Sequence, residues 1–247
     1  MNILLIQWRL DKVVADHERD CFMRHAGWDP SKVKSFDACK QVPTLELLEN
    51  IDALVVGGSG DFLVSQGDMP LQMDGMFKML KEARHRNLPI LGICFGSQIM
   101  TKAFGGKVVM DSEREEAGTF MVKKLAESAY CPIMQGMPTS FMTQLGHKDH
   151  LEYLPFGAIN LASSEKSQNQ CWTFEGEPVY AMLWHPELLE EDMQYRVRFY
   201  AKVYGWNEEK IQEIFTLLMP SPRSPDALRG FFEEVVKKGR VYGGKQG

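Results

Sequence analysis

Three groupings in this sequence have the residue types and spacing for covalent chemistry. The first is Gly92-Ile93-Cys94-Phe95-Gly96-Ser97-Gln98, a cysteine with a glycine two residues away on each side, following the apolar run 88–93. A strand that turns sharply into a helix at a reactive residue needs neighbours without side chains, and such a turn holds the nucleophile in the open. A thiol at a helix N-terminus also feels the positive end of the helix dipole, which favours the thiolate. The second is Trp184-His185-Pro186-Glu187. A cysteine nucleophile needs a base, and the base needs an orienting group. Glu187 can accept the imidazole N–H, fix the tautomer and stabilise the imidazolium. The third is Gly57-Gly58-Ser59-Gly60, which can offer backbone N–H groups to a developing oxyanion, as can the N–H of Phe95. Taken singly, each has a plain alternative: an inert core cysteine, a charged turn, a strand-to-loop turn. Their weight comes from occurring together.

These residues must be positioned by strands. Apolar runs at 3–7, 53–56 and 88–93 alternate with helix-like stretches at about 14–26, 71–86 and 97–104. Residues 32–36 form a candidate second strand, and 45–49 a short helical piece. Such alternation marks a mainly parallel sheet with crossover helices. Beyond Gly106 the pattern changes to short strands at 107–110, 119–123, 140–144, 158–163, 171–174 and 179–184, read as antiparallel strands appended to the parallel core. Helices are expected at 190–204, 208–218 and 226–238, with a break at 219–225. The tail 243–247 is expected to fray. The expected fold is therefore α/β: a three-layer α/β/α open, mostly parallel sheet of flavodoxin-like or Rossmann-like type. It forms one domain over 1–247, with a core of about 1–204 and a C-terminal helical extension of about 205–240.

Composition narrows the partners. The 247 residues carry a formal net charge of −5, which gives no electrostatic case for nucleic acid or an anionic membrane. Five scattered cysteines (21, 39, 94, 131 and 171) lack any CxxC pair, against a disulfide framework or zinc site and in keeping with a cytoplasmic location. No apolar run approaches a bilayer span, and the N-terminus looks like a first strand rather than a signal peptide. No cofactor and no metal are expected. Of the six histidines, His17, His25 and His85 fall in polar-flanked helical segments and read as surface residues.

Gly92 to Gln98, Trp184 to Glu187 and Val56-Gly57-Gly58 together resemble the class I, triad-type glutamine amidotransferase domain, over about residues 1–200. The resemblance implies Cys94 as nucleophile, His185 as general base then acid, and Glu187 as the orienting carboxylate. Gly58 and Phe95 would form the oxyanion hole through their amides. It further implies substrate contacts from Gly57, Gln98, Glu116 and Gly118. His147 and Asp149 match a stretch with structural or partner-facing roles. Phe95, Ser97, Ser59 and Trp184 depart from the family's commoner residues without removing a catalytic atom.

The implied reaction is hydrolysis of a γ-glutamyl amide through a γ-glutamyl thioester. The chain carries no P-loop or ATP-pyrophosphatase motif. It is expected to be a stand-alone γ-glutamyl peptidase acting on glutathione-like compounds. The alternatives are a glutaminase subunit that supplies ammonia to a separate synthase partner, or a non-catalytic binding module. PfpI-type proteases place a histidine beside the cysteine, where this chain has Phe95. A cysteine variant of the α/β-hydrolase fold normally has its acid far ahead of the histidine, unlike Glu187.

Overall fold

The first strand shows how the layers form. In β1 (Ile3–Gln7), Ile3 and Leu5 face one core while Leu4 and Ile6 face the other. That is the two-residue period of a strand covered on both sides. The computed structural model describes residues 1–244; residues 245–247, part of the tail expected to fray, lie outside the described residues.

The chain continues through α1 (Lys12–Ala26), β2 (Val33–Asp37), β3 (Ala53–Val56), α2 (Pro70–His85), β4 (Ile90–Ile93) and α3 (Phe95–Ala103). Then come β5 (Lys107–Met110), β6 (Glu116–Lys124), β7 (Ser140–His147), β8 (Asp149–Tyr153), β9 (Ala158–Ser163), β10 (Cys171–Phe174) and β11 (Val179–Met182). The end is α4 (Glu190–Tyr204), α5 (Glu208–Thr216), α6 (Pro225–Gly230) and a π-helical turn, Phe231–Lys237. The main sheet runs β2-β1-β3-β4-β11-β10-β9-β6-β7. Its first five strands are parallel and the rest pair antiparallel. This is the expected α/β architecture, with antiparallel strands appended to a parallel core.

Some boundaries differ from expectation. β8 was not expected: Asp149-His150-Leu151-Glu152-Tyr153 has no apolar run, yet it pairs with β5 in a separate two-stranded sheet. Glu208–Thr216 and Pro225–Gly230 fall in the C-terminal extension. α5 lays Ile211 and Ile214 against Val197 and Ala201 of α4. Farther on, Ala227, Leu228, Phe231, Phe232 and Val235 join Leu5 and Ile93 in one buried cluster. On the opposite face, Met73, Met76 and Leu80 of α2 and Ile99 and Met100 of α3 cover Leu4, Ile6, Leu54 and Val56.

Candidate active site

Adjacent parallel strands bring the two main motifs to one end of the sheet. β4 and β11 pair with Ile93 opposite Met182, so the residues after each strand emerge together at their C-terminal ends. Cys94 follows β4, and its N–H donates to the Met182 carbonyl at 2.8 Å. Its φ of 50° and ψ of −108° lie outside the regions a side chain prefers, a strained position of the kind that clusters at reactive sites. The flanking glycines are sterically required. A Cβ on Gly96 would lie 2.1 Å from the Val56 carbonyl oxygen, and one on Gly92 2.4 Å from Met100 Sδ.

His185 follows β11, and its N–H donates to the Gln144 carbonyl at 3.0 Å, which ties it to β7. His185 Nδ1 lies 2.8 Å from Glu187 Oε1, leaving Nε2 for the thiol; the imidazole is within hydrogen-bonding reach of Cys94. All three side chains are buried. Burial pushes the imidazole toward its neutral form, but the charges of Glu187 and Cys94 outweigh it and raise His185 to about 9. Burial likewise opposes ionisation of Glu187, and the imidazolium overrides it, holding the carboxyl well below its usual range. Arg196 Nη1, 3.5 Å from Glu187 Oε1, adds to that effect. The cluster therefore favours a charged imidazolium–carboxylate pair beside the Cys94 sulfur. Cys94 Sγ also sits 3.9 Å from the Gly146 carbonyl oxygen.

The expected oxyanion donors fare differently. Phe95 opens α3, so its N–H is one of those the helix cannot pair internally. Gly58 was expected to offer its N–H to the acyl oxygen; in this structure, which holds no substrate, that N–H donates to Glu18 Oε1 at 3.2 Å. A buried amide must find an acceptor, and α1 supplies one. Gly57 stitches the loop to the elbow, its N–H donating to the Ile6 carbonyl at 2.9 Å and its carbonyl accepting from Gly96 N–H at 3.1 Å.

The remaining expected substrate contacts are engaged with the protein itself. Gln98 Nε2 donates to the Asp149 carbonyl at 3.1 Å. Glu116 is fully buried, 3.0 Å from His147 Nε2 and accepting from Gln170 Nε2 at 2.7 Å. Gly118, at φ 128°, packs against Leu217, whose carbonyl accepts from Thr119 N–H at 3.0 Å.

Sequence reasoning missed a charged group behind the loop. Arg9 Nη2 and Glu18 Oε1 form an ion pair at 2.8 Å, with side chains 2% and 0% exposed. Arg9 Nη1 donates to the Tyr200 hydroxyl at 3.1 Å. The signal was present in α1: Val14, Glu18, Cys21, Phe22 and His25 share its buried face at helical spacing. His25 is accordingly not the expected surface residue but buried, with Nε2 2.8 Å from Asp192 Oδ2. His17 is half-buried, lowered to about 4 chiefly by burial.

Among the described residues, His17, Cys21 and Asp192 form one group with metal-ligand spacing. Arg24 Nη2 lies 3.3 Å from Cys21 Sγ and 2.6 Å from Asp192 Oδ1, so a guanidinium already supplies the cation there. An open cleft of about 620 Å³ lies away from this chemistry, lined by Lys81, Arg84, His85 and Glu177. No helix among the described residues is long and apolar enough to cross a membrane.

Fold and cluster define a class of α/β proteins with a thiol, imidazole and carboxylate gathered at the ends of neighbouring parallel strands. Within that class the family is settled by comparison: the model for glutamine amidotransferase class-I matches residues 29–203. The chain belongs to that family. It is 32% identical over 168 residues to a glutamine-hydrolyzing GMP synthase subunit from Pyrococcus abyssi, covering 67% of this chain and 85% of that one. It is 29% identical over 187 residues to the glutamine-hydrolyzing GMP synthase of Wolinella succinogenes, covering 71% of this chain and 35% of that one. The chain thus spans about a third of that synthase. A glutamine amidotransferase structure from Thermotoga maritima superposes with a TM-score of 0.70 at 20% identity, covering 96% of this chain and 98% of that one. That last likeness concerns the fold alone.

Proposed function

We propose that this chain is a glutaminase that releases ammonia from glutamine for a separate synthase. The observation that carries the reading is the placement of Cys94, His185 and Glu187 at the ends of β4 and β11. Sequence alone put a stand-alone γ-glutamyl peptidase first. The relatives with named activity are glutamine-hydrolyzing GMP synthases, some of them separate subunits, and this favours glutamine as substrate and a synthase as partner.

The chemistry follows from the cluster. With the Cys94 proton held on His185 as the imidazolium, the thiolate attacks the γ-carboxamide carbon. The oxyanion receives the Phe95 N–H, a donor poised where charge develops. The imidazolium, oriented by Glu187, protonates the leaving nitrogen, and ammonia departs to leave a γ-glutamyl thioester on Cys94. His185 then takes a proton from water, which attacks the thioester carbon, and glutamate is released with the thiol restored.

The test is glutamate release by the purified protein from glutamine, glutathione and a γ-glutamyl dipeptide, beside a Cys94→Ala control. Preference for glutamine supports the proposal. Strong peptide cleavage with little glutamine turnover would replace it with the peptidase reading. Silence on every substrate, even with a synthase partner added, would leave a binding module.

A further inference from the structure

Glu187 has two carboxylate oxygens, and His185 uses one of them. Oε1 takes the imidazole Nδ1, while Oε2 is buried with no hydrogen-bond partner among the described residues. Arg196 approaches from α4, its Nη1 3.5 Å from Oε1, and the two side chains are 5% and 0% exposed. Its Nε and Nη2 are also buried and find no acceptor among the described residues. A buried guanidinium with two unpaired nitrogens is costly to keep, and such an exception calls for a reason. Those nitrogens supply none through hydrogen bonds, so the reason lies in the charge.

The groups around the guanidinium leave Glu187 as its counter-ion. From α1, His17 and Cys21 face it, and both are uncharged near neutral pH, since burial lowers His17 to about 4 and raises Cys21. Asp192, one turn earlier on α4, accepts from Arg24 Nη2 at 2.6 Å through Oδ1 and meets His25 Nε2 at 2.8 Å through Oδ2. On the far side of the imidazole, Cys94 is the other charge partner. Beyond Gly58, the Arg9–Glu18 ion pair carries no net charge.

The need for a second counter-ion arises within the reaction. While His185 is an imidazolium, Glu187 has a positive partner. When Nε2 gives its proton to the leaving nitrogen, the ring becomes neutral and the buried carboxylate loses that partner, a state that burial penalises. Left uncompensated, this penalty would make the imidazolium cling to its proton and act as a poor acid. A guanidinium keeps its charge throughout, and at 3.5 Å it keeps Glu187 paired in both halves of the cycle. The Nδ1 proton stays on the ring.

We propose that Arg196 is a positioning residue of this site: its fixed charge sustains the Glu187 carboxylate beside a neutral imidazole and so lets His185 release its proton. For the leaving nitrogen that takes this proton, this rests on the hydrolase reading proposed above. Base, carboxylate and counter-ion then all come from one segment, residues 185–196.

The deciding variant is Arg196→Met, which removes the charge and keeps an unbranched side chain. Isotope labelling at histidine Cε1 gives the His185 titration midpoint by NMR, assigned by the signal lost in His185→Asn. Without the guanidinium the midpoint should rise by about one pH unit, the lower end of what a neighbouring charge does. Glutamate release from glutamine near neutral pH should slow roughly 3- to 10-fold, as for a weakened general acid. Arg196→Lys, which restores the charge, should bring the midpoint back toward the natural value and recover most of the rate. Slower release with an unmoved or lowered midpoint would mean that Arg196 only fills space, and would overturn the proposal. So would a raised midpoint with unchanged release, or a Lys variant that titrates like the Met one. Should Arg196→Met not fold, Arg196→Gln removes the same charge with a polar side chain, and the same midpoint decides. If the natural protein releases no glutamate from any substrate, the hydrolase reading falls, whereas the midpoint still decides whether Arg196 governs the charge of the pair.

Discussion

His185 and Glu187 are two residues apart in sequence, and their side chains meet at 2.8 Å in a buried turn that Pro186 stiffens. The contact fixes Nδ1 as the nitrogen facing the carboxylate, so Nε2 is presented toward Cys94. Orientation of the base is thus built locally, whereas its meeting with the nucleophile depends on β4 and β11 being neighbours.

Glu187→Gln should uncouple these two properties. The amide keeps the volume and can still pair with the ring, but it offers no charge to an imidazolium. We expect kcat for glutamate release to fall by about 100- to 10,000-fold, the range of a compromised general base, with KM little changed. Steady-state kinetics on purified, folded protein checks this; a loss under tenfold would remove Glu187 from the machinery.

The same pair sets a pH dependence of stability. His185 is raised from 6.5 to about 9 by Glu187 and Cys94 against its burial, so its contribution is complete below about pH 6.5 and lost as pH rises through 9. Glu187 is depressed below 4.5 by His185, so its contribution is complete above about pH 4.5 and lost as pH falls below that. Both are fully present between about pH 4.5 and 6.5. Melting temperature should decline from pH 6.5 toward 9, and the decline should be smaller and level off at lower pH in Cys94→Ala, which lacks one of the groups that raises the imidazole. Thermal melts across that range provide the measurement.

The elbow predicts a contrast between two glycines. Ala at 96 places its Cβ 2.1 Å from a backbone oxygen of β3, and helix propensity cannot offset that contact. Ala at 146 meets only Met193 Cε at 3.5 Å, although the Gly146 carbonyl is a neighbour of Cys94. Gly96→Ala should cost about 3 kcal/mol, the upper end of ordinary overpacking. Gly146→Ala should stay within about 0.5 kcal/mol. Urea unfolding of both variants decides it, and equal losses would refute the steric account of the elbow.

What could be read from the sequence divides along physical lines. Cys94, His185 and Glu187 were legible because glycine spacing and a two-residue His–Glu interval are local signatures. The buried strands were legible because both their faces need apolar residues. Glu18 and Arg9 were not, since a charged residue on a helix or after a strand is normally solvated, and only the fold reveals that they face each other. Gly58 illustrates the same limit: its place in the loop was foreseen, but the partner of its N–H lies 40 residues away on another element. β8 escaped because its pairing with β5 compensates for a segment with little apolar character.

The C-terminal extension gives the last prediction. Helices beyond residue 204 were foreseen, and they lie outside the stretch matched by the family model, 29–203. An appendage of that kind should be removable. The packing says otherwise: Phe232, 2% exposed, sets its ring edge-on to Trp28 at 4.2 Å, and Phe231 packs against Tyr180 of β11. These side chains cover the sheet face formed by Leu5, Leu91 and Ile93, directly beneath the elbow strand. Phe232→Ala should therefore cost about 3–5 kcal/mol, as for an aromatic deleted from a tight core. A chain ended after residue 204 should fail to fold cooperatively, because the face it uncovers is continuous apolar surface. A Phe232→Ala loss below about 0.5 kcal/mol, or a truncated chain with a native-like melt, would return these helices to the status of an appendage.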